Sequence, residues 1–166
     1  YTTLDLYHPA FNEITPLEKI NFLKAVESEC FALDPRVKSV NYCAFSNGTS
    51  EIMLKNTKGL DLSERQNFAY TYASVLVTEN TDGDFIISTN FTDYEPKSFA
   101  KKIVSRALAQ LGAKKVKSGT YPILLRNLVA GDILEAMSDI FSGEAILKDL
   151  SRLKDKIGMV IASPIV

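Results

Sequence analysis

QNFAYTYASVLVTENTDGDFIISTNFT, residues Gln66 to Thr92, is the stretch on which the fold turns. In an extended chain Phe68, Tyr70, Tyr72, Ser74 and Leu76 face one way, and Ala69, Thr71, Ala73, Val75 and Val77 the other. Both sets are fairly apolar, which predicts a central strand over Gln66–Glu79. Asp82-Gly83 is a hairpin signal, and Asp84–Thr92 reads as the next strand. Working upstream, Arg36–Ser46 alternates loosely, Asn47-Gly48 reads as a two-residue turn, and Ser50–Asn56 returns as a strand. Thr57-Lys58-Gly59 is a loop. Successive hairpins predict an antiparallel sheet of about four strands.

Helices flank this sheet in the sequence. Thr15-Pro16-Leu17-Glu18 combines a cap, a first-turn proline and a capping-box glutamate. Leu17, Ile20, Leu23, Val26 and Cys30 follow at helical spacing, and Asp34-Pro35 stops the helix. Pro96 opens a second helix with Phe99, Ile103, Val104, Ala107, Leu108 and Leu111 on its core face, and Gly112 closes it. Residues 113–118 read as a basic hinge. Beyond it, Thr120–Leu125 predicts a strand, and Asn127 caps a helix with Leu128, Ile133, Met137, Ile140 and Phe141 on its apolar face. Gly143 breaks that helix, and a shorter one is expected over Glu144–Leu150. The fold class expected is α+β, followed by the strand–helix start of a second domain.

The 166 residues are 46% hydrophobic and 23% charged, with a net charge of −1. That balance leaves no electrostatic footprint for nucleic acid. No apolar run reaches the ~20 residues of a membrane helix, and no basic-then-apolar leader is visible, so a cytoplasmic protein is expected. Cys30 and Cys43 read as buried free thiols, which suits a reducing compartment. The first residue is Tyr1 rather than Met, and Ile161–Val166 is an apolar run leading into nothing. An internal piece of a longer protein is the expectation; a mature chain ending there is the alternative.

Few residues invite chemistry. The sole histidine, His8, has no Cys or His neighbour in sequence, and neither a CxxC nor an HExxH motif occurs. Asn47-Gly48-Thr49 with Glu51 reads as a turn, not a phosphate cradle. Lys101, Lys102, Lys114, Lys115 and Lys117 crowd one region, but no aromatic residues interleave with them as stacking platforms. A solvated helix face and linker explains them. Glu135 and Asp139 are four apart on the Asn127 helix, with Asp132 three before Glu135, so they are expected to share a face. Paired carboxylates there can bind a cation or do acid–base work; a solvated or interface-facing stripe gives the same pattern.

Three separated blocks resemble the TldD/PmbA family. Asp5-Leu6-Tyr7-His8-Pro9 is similar to the DLYDP motif that opens the family's middle domain, with His8 in place of the acidic residue. Asn56-Thr57-Lys58-Gly59-Leu60-Asp61 resembles its NSxG turn. Ser118-Gly119-Thr120-Tyr121-Pro122-Ile123-Leu124-Leu125 resembles the TGxYPVVL strand that opens its C-terminal domain. Further on, Phe141-Ser142-Gly143-Glu144-Ala145, Leu153-Lys154-Asp155-Lys156-Ile157-Gly158 and Ile161-Ala162-Ser163 resemble FSGEA…LKGKxGxxIAS. Each block is short; their order and spacing carry the likeness over nearly the whole chain. It implies a middle α+β domain over 1–112, a hinge over 113–118, and the truncated beginning of the C-terminal domain over 119–166.

The resemblance further implies a cytoplasmic zinc metallopeptidase system acting on unfolded or extended peptides, also known as a modulator of DNA gyrase. In it TldD-type and PmbA-type subunits pair. The TldD type holds zinc with HEAxGH on the helix after the YPVVL strand. With Tyr121–Leu125 fixing the register and Glu135-Ala136 on the motif's Glu-Ala, the two histidine positions fall on Leu134 and Asp139. Leucine has no donor atom, and one aspartate does not replace two imidazoles in a hydrolytic zinc site. The expectation is a non-catalytic PmbA-type subunit with no cofactor of its own. Glu135 is then the one motif position retained, and zinc belongs to a TldD-like partner. Extended peptides are the expected ligands, with no direct nucleic acid and no membrane. A metallopeptidase with altered ligands, using Glu135 and Asp139, and a regulatory module acting on gyrase are the alternatives.

Overall fold

In a computed structural model, which describes residues 6–163, the first helix starts as its sequence demands. Thr15 Oγ1 accepts from the Glu18 amide at 3.3 Å while Glu18 Oε2 accepts from the Thr15 amide at 2.7 Å. Two orphan amides are thereby satisfied, and helix α1 runs Pro16–Leu33. Asp5 of the first resemblance block, and Pro164 onward, lie outside the described residues. The chain divides into two units, Tyr1–Lys115 and Val116–Val166.

In the first unit α1 is followed by strands β1 (Val37–Lys55), β2 (Asp61–Val77) and β3 (Asn80–Ser88), then helix α2 (Pro96–Ala109). The sheet is antiparallel in the order β1-β2-β3, so the α+β class holds with three strands rather than about four. The difference lies in two glycines. Asn47-Gly48 does not turn: β1 runs straight through it, with Asn47 opposite Ala69 and Gly48 opposite Phe68. Asp82-Gly83 does not turn either; Gly83 lies within β3 opposite Ser74. Both glycines lie under aromatic rings of β2. A Cβ on Gly48 would touch the Phe68 ring at 3.6 Å, and one on Gly83 would sit 2.6 Å from the Tyr72 hydroxyl and 2.8 Å from the Ala73 carbonyl oxygen. Gly83 marks close approach rather than reversal, while at Gly48 a Cβ would make only ordinary contact.

The β2–β3 reversal falls instead on Thr78-Glu79, where Thr78 has φ +57°. A β-branched residue is a poor occupant of that region. Thr78→Asn is expected to raise stability by about 1 kcal/mol, the lower end of the left-handed penalty for an L-residue; the urea midpoint measures it. The other turn is as read: the Asn56 side chain accepts from the Lys58 and Leu60 amides at 2.9 and 3.1 Å, and Gly59 takes φ +92°.

Asn67, Ala69, Thr71, Ala73, Val75 and Val77 of β2 are buried on the helix-covered face. From α1 the buried residues are Phe22, Val26 and Cys30; Leu17 and Ile20, expected in the core, are exposed. The buried stripe is an i, i+4, i+8 row led by Phe22, whose ring reaches Phe45, Phe91 and Tyr94. Helix α2 buries Phe99, Ala100, Ile103, Val104 and Ala107, close to its expected face. Strand β2 is central, as expected. Its second apolar face, however, is uncovered, with Phe68 and Tyr70 exposed.

Cys30 and Cys43 are free thiols, and burial pushes each from a usual 9.0 up to about 11. Burial likewise pushes Tyr94 from 10.0 up to about 12, its hydroxyl donating to the Ala69 carbonyl at 2.6 Å. Each folded value lies above the unfolded one. The folded state's preference for the neutral forms is therefore complete below pH 9 and is lost as pH rises through about 9 to 12. Denaturation midpoints should accordingly stay flat from pH 7 to 9 and fall above it. A Cys30→Ala, Cys43→Ala chain should begin its fall a unit later, where the raised Tyr94 is the buried group that remains.

The second unit holds helices α3 (Asn127–Ala136) and α4 (Gly143–Leu147), with a 3-10 turn at Ser138–Phe141 between them. Thr120–Leu125, expected to be a strand, has no ladder partner among the described residues. Strand propensity supplies side chains, but a strand also needs a second backbone to bond. Among the described residues of this unit only Ser151 is buried, so Leu128, Ile133 and Met137 do not form the expected core face.

Candidate functional site

Leu134, Glu135 and Asp139 do not sit on one continuous helix. Arg126, not Asn127, occupies the cap position of α3, and Asn127 is its first residue. The helix ends at Ala136, with Met137 at φ −97°, ψ 0°, and Asp139 belongs to the following 3-10 turn. The tighter winding removes the i, i+4 face on which Glu135 and Asp139 were expected to meet. Asp132, Leu134, Glu135 and Asp139 are all exposed, Leu134 at 52%. The donor set does not fit zinc: Leu134 offers no ligand atom, and no three His, Cys, Asp or Glu groups converge among the described residues.

Asp139 instead lines an open hollow of about 420 Å³ with Ser142, Glu144, Lys148 and Leu150. Glu144 is taken up by an i, i+4 ion pair with Lys148. The Ser142 side chain caps α4 at the Glu144 amide, 3.2 Å away. Ser151 closes the end of this segment, donating to the Ile140 carbonyl and accepting from the Leu153 amide at 3.1 Å. These groups tie the FSGEA-like segment to itself.

In the first unit the residue that sequence reading missed is Asn67. Fully buried, it accepts from the His8 amide at 3.0 Å and donates to the His8 carbonyl at 2.7 Å, and its own amide donates to the Leu6 carbonyl at 3.0 Å. Leu6–His8 is thereby tied to β2 just beyond the end of β3. His8 is held there through its backbone. A buried Asn in a strand of apolar neighbours was the available signal. Of the lysines, Lys102 pairs with Asp84 at 2.7 Å, while Lys101, Lys114, Lys115 and Lys117 are exposed.

A helix-backed antiparallel sheet, followed by a unit whose motif helix carries no imidazole, thus defines an α+β module. The chain belongs to the PmbA/TldD family. The family's metallopeptidase central domain matches residues 9–111, and its metallopeptidase C-terminal domain matches residues 118–166. Relatives include a Haemophilus influenzae protein named metalloprotease TldD homolog, 28% identical over 92% of this chain and 34% of that one. Another is Escherichia coli O157:H7 metalloprotease PmbA, 23% identical over 95% of this chain and 36% of that one. A crystal structure from Thermotoga maritima, described as a candidate modulator of a DNA gyrase, superimposes with a TM-score of 0.89 at 25% identity. It covers 99% of this chain and 39% of its own. The chain therefore spans little more than a third of the length of these relatives. No helix among the described residues is long and apolar enough to cross a membrane.

Proposed function

We propose that this chain is part of a non-catalytic, PmbA-like subunit of a cytoplasmic metallopeptidase pair that processes unfolded or extended peptides. Its partner is a TldD-like subunit, which supplies the zinc. The observation that carries the reading is Leu134-Glu135-Ala136-Met137-Ser138-Asp139, which keeps the motif's glutamate and holds neither histidine in an otherwise matching frame. The exposed, unconverged placement of Leu134, Glu135 and Asp139 supports it. The net charge of −1 favours a peptide-handling role over direct contact with DNA.

Metal analysis of the full-length protein, alone and with a TldD-like partner, tests this reading. Less than a tenth of an equivalent of zinc is expected in the lone subunit and about one per pair. Stoichiometric zinc in the lone subunit overturns it. Relatives of both the TldD and PmbA types are named metalloproteases, which keeps one rival: a peptidase with altered ligands. Peptide hydrolysis by the isolated subunit, abolished by Glu135→Gln, would establish that rival.

A further inference from the structure

Strand β2 outruns one of its neighbours. Strand β3 ends with Ser88 opposite Ala69, while β1 stays paired as far as Lys55 opposite Asp61. Residues 48–55 and 61–68 therefore form a two-stranded arm, and among the described residues no strand lies along the far edge of β2 there. The Asn67 amide points to that edge, since it donates to the Leu6 carbonyl at 3.0 Å. Alternation of backbone groups along a strand sends those of Arg65, Ser63 and Asp61 the same way. Two strands alone are marginal in water, and an open edge invites a third. Residues 6–12 lie across the root of this edge. The fully buried Asn67 carboxamide accepts from the His8 amide at 3.0 Å and donates to the His8 carbonyl at 2.7 Å, the bonds that a peptide unit of a neighbouring strand would make. The Arg65 guanidinium sits 4.1 Å from the centre of the Tyr7 ring, and the Tyr7 hydroxyl accepts from the Asn12 side chain at 3.1 Å. Asn12 in turn accepts from the Thr49 hydroxyl of β1 at 3.0 Å, and Phe11 is buried edge-on to Phe91.

We propose that residues 6–12 are a strap that shuts the β2 edge at the root of the arm against strand addition by another chain, with Asn67 as its catch. The strap belongs to the first unit and does not depend on the metal reading. Its catch grips backbone only, so it fixes where the segment lies without reading the His8 side chain. Phe11 and Asn12 pin the other end, to the core and to β1. Being part of the same chain, the strap meets the edge at an effective concentration that a free peptide does not match. Without the catch, the amide of residue 67 loses its cover. The edge then offers ladder bonds to an extended chain of any sequence, since such bonds are made by backbone.

Hydrogen exchange at the residue-67 amide of the 166-residue chain is the test. Asn67→Ala should speed exchange there at least tenfold, while Ala73, further along β2 between β1 and β3, keeps its rate. His8→Ala, which alters only the side chain, should change neither. His8→Pro deletes the donated amide and leaves β2 untouched, so it should speed exchange at Asn67 even where Asn67→Ala fails to fold. A fluorescent synthetic peptide of residues 6–13 should bind the His8→Pro chain at least threefold more tightly than the parent, whose own strap occupies the edge. Unchanged exchange at residue 67 in Asn67→Ala and His8→Pro, or exchange in His8→Ala as fast as in Asn67→Ala, overturns the catch. A peptide that binds the parent and the His8→Pro chain alike, or binds neither, overturns the closed edge.

Discussion

Phe22→Ala is expected to cost about 3–5 kcal/mol, the range for truncating a buried aromatic residue in a core that cannot collapse around the gap. Phe22 is 5% exposed, and its ring meets Phe45 at 6.1 Å, Phe91 at 6.3 Å and Tyr94 at 5.7 Å, all edge-on. Phe91 stacks on Tyr94 and touches Phe11, so the cluster joins α1, β1, the turn before α2 and the chain ahead of α1. Edge-to-face pairs add to area burial because ring edges and faces carry opposite partial charge. Removing the ring that three others share leaves a void lined by stiff groups. Leu17→Ala, on the same helix but 65% exposed, should stay within ~0.5 kcal/mol of the parent. Equal losses in the two variants, read from denaturation midpoints at constant m-value, would show that the buried face of α1 has been misplaced.

The second large effect concerns charge. Asp84 is 4% exposed, and Arg106 of α2 reaches both Asp84 and Asp82 at 3.2 Å. Lys102 approaches the other Asp84 oxygen at 2.7 Å in an ion pair whose alignment makes no hydrogen bond, and Gln110 donates to Asp82 at 2.6 Å. This network fixes how α2 lies on β3. Arg106→Leu strips Asp84 of its better-buried partner and leaves a carboxylate inside the fold with one half-exposed lysine. The expected cost is about 2–4 kcal/mol, below the full value for a broken buried pair because Lys102 remains. Adding Asp84→Leu should restore at least half of the loss, since a well-packed apolar pair can replace a buried ionic one. No recovery in the double variant would mean that Arg106 acts through its packing rather than its charge.

How much was legible in the sequence divides by the range of the forces involved. Thr15 and Glu18 bond within one helical turn, and the α2 stripe repeats within its own helix, so both could be read directly. The alternation of β2 was equally plain. The strand count was not, because Asn47-Gly48 and Asp82-Gly83 carry the dipeptides of a turn, while β1 runs on through the first and the close approach of Tyr72 and the Ala73 carbonyl demands glycine at the second. Conversely the real turn at Thr78 lacks any turn residue, being imposed by the strands on either side. The candidate site divides in the same way. The absence of histidine at Leu134 and Asp139 was visible in the letters. Their separation onto a helix and a 3-10 turn was not, since the helix end at Ala136 comes from backbone geometry that no cap residue announces.

The sequence by itself determined the class of fold, the starts of α1 and α2, and the absence of histidine at Leu134 and Asp139. These rest on local spacing and on which atoms a side chain carries. Only the tertiary structure decided which face of α1 is buried, that Asn67 holds the backbone of His8, and that the sheet leaves Phe68 and Tyr70 exposed on its outer face. Each depends on which distant segment arrives at a given surface, and burial, unlike spacing, is a property of the pair that meets and not of either stretch alone.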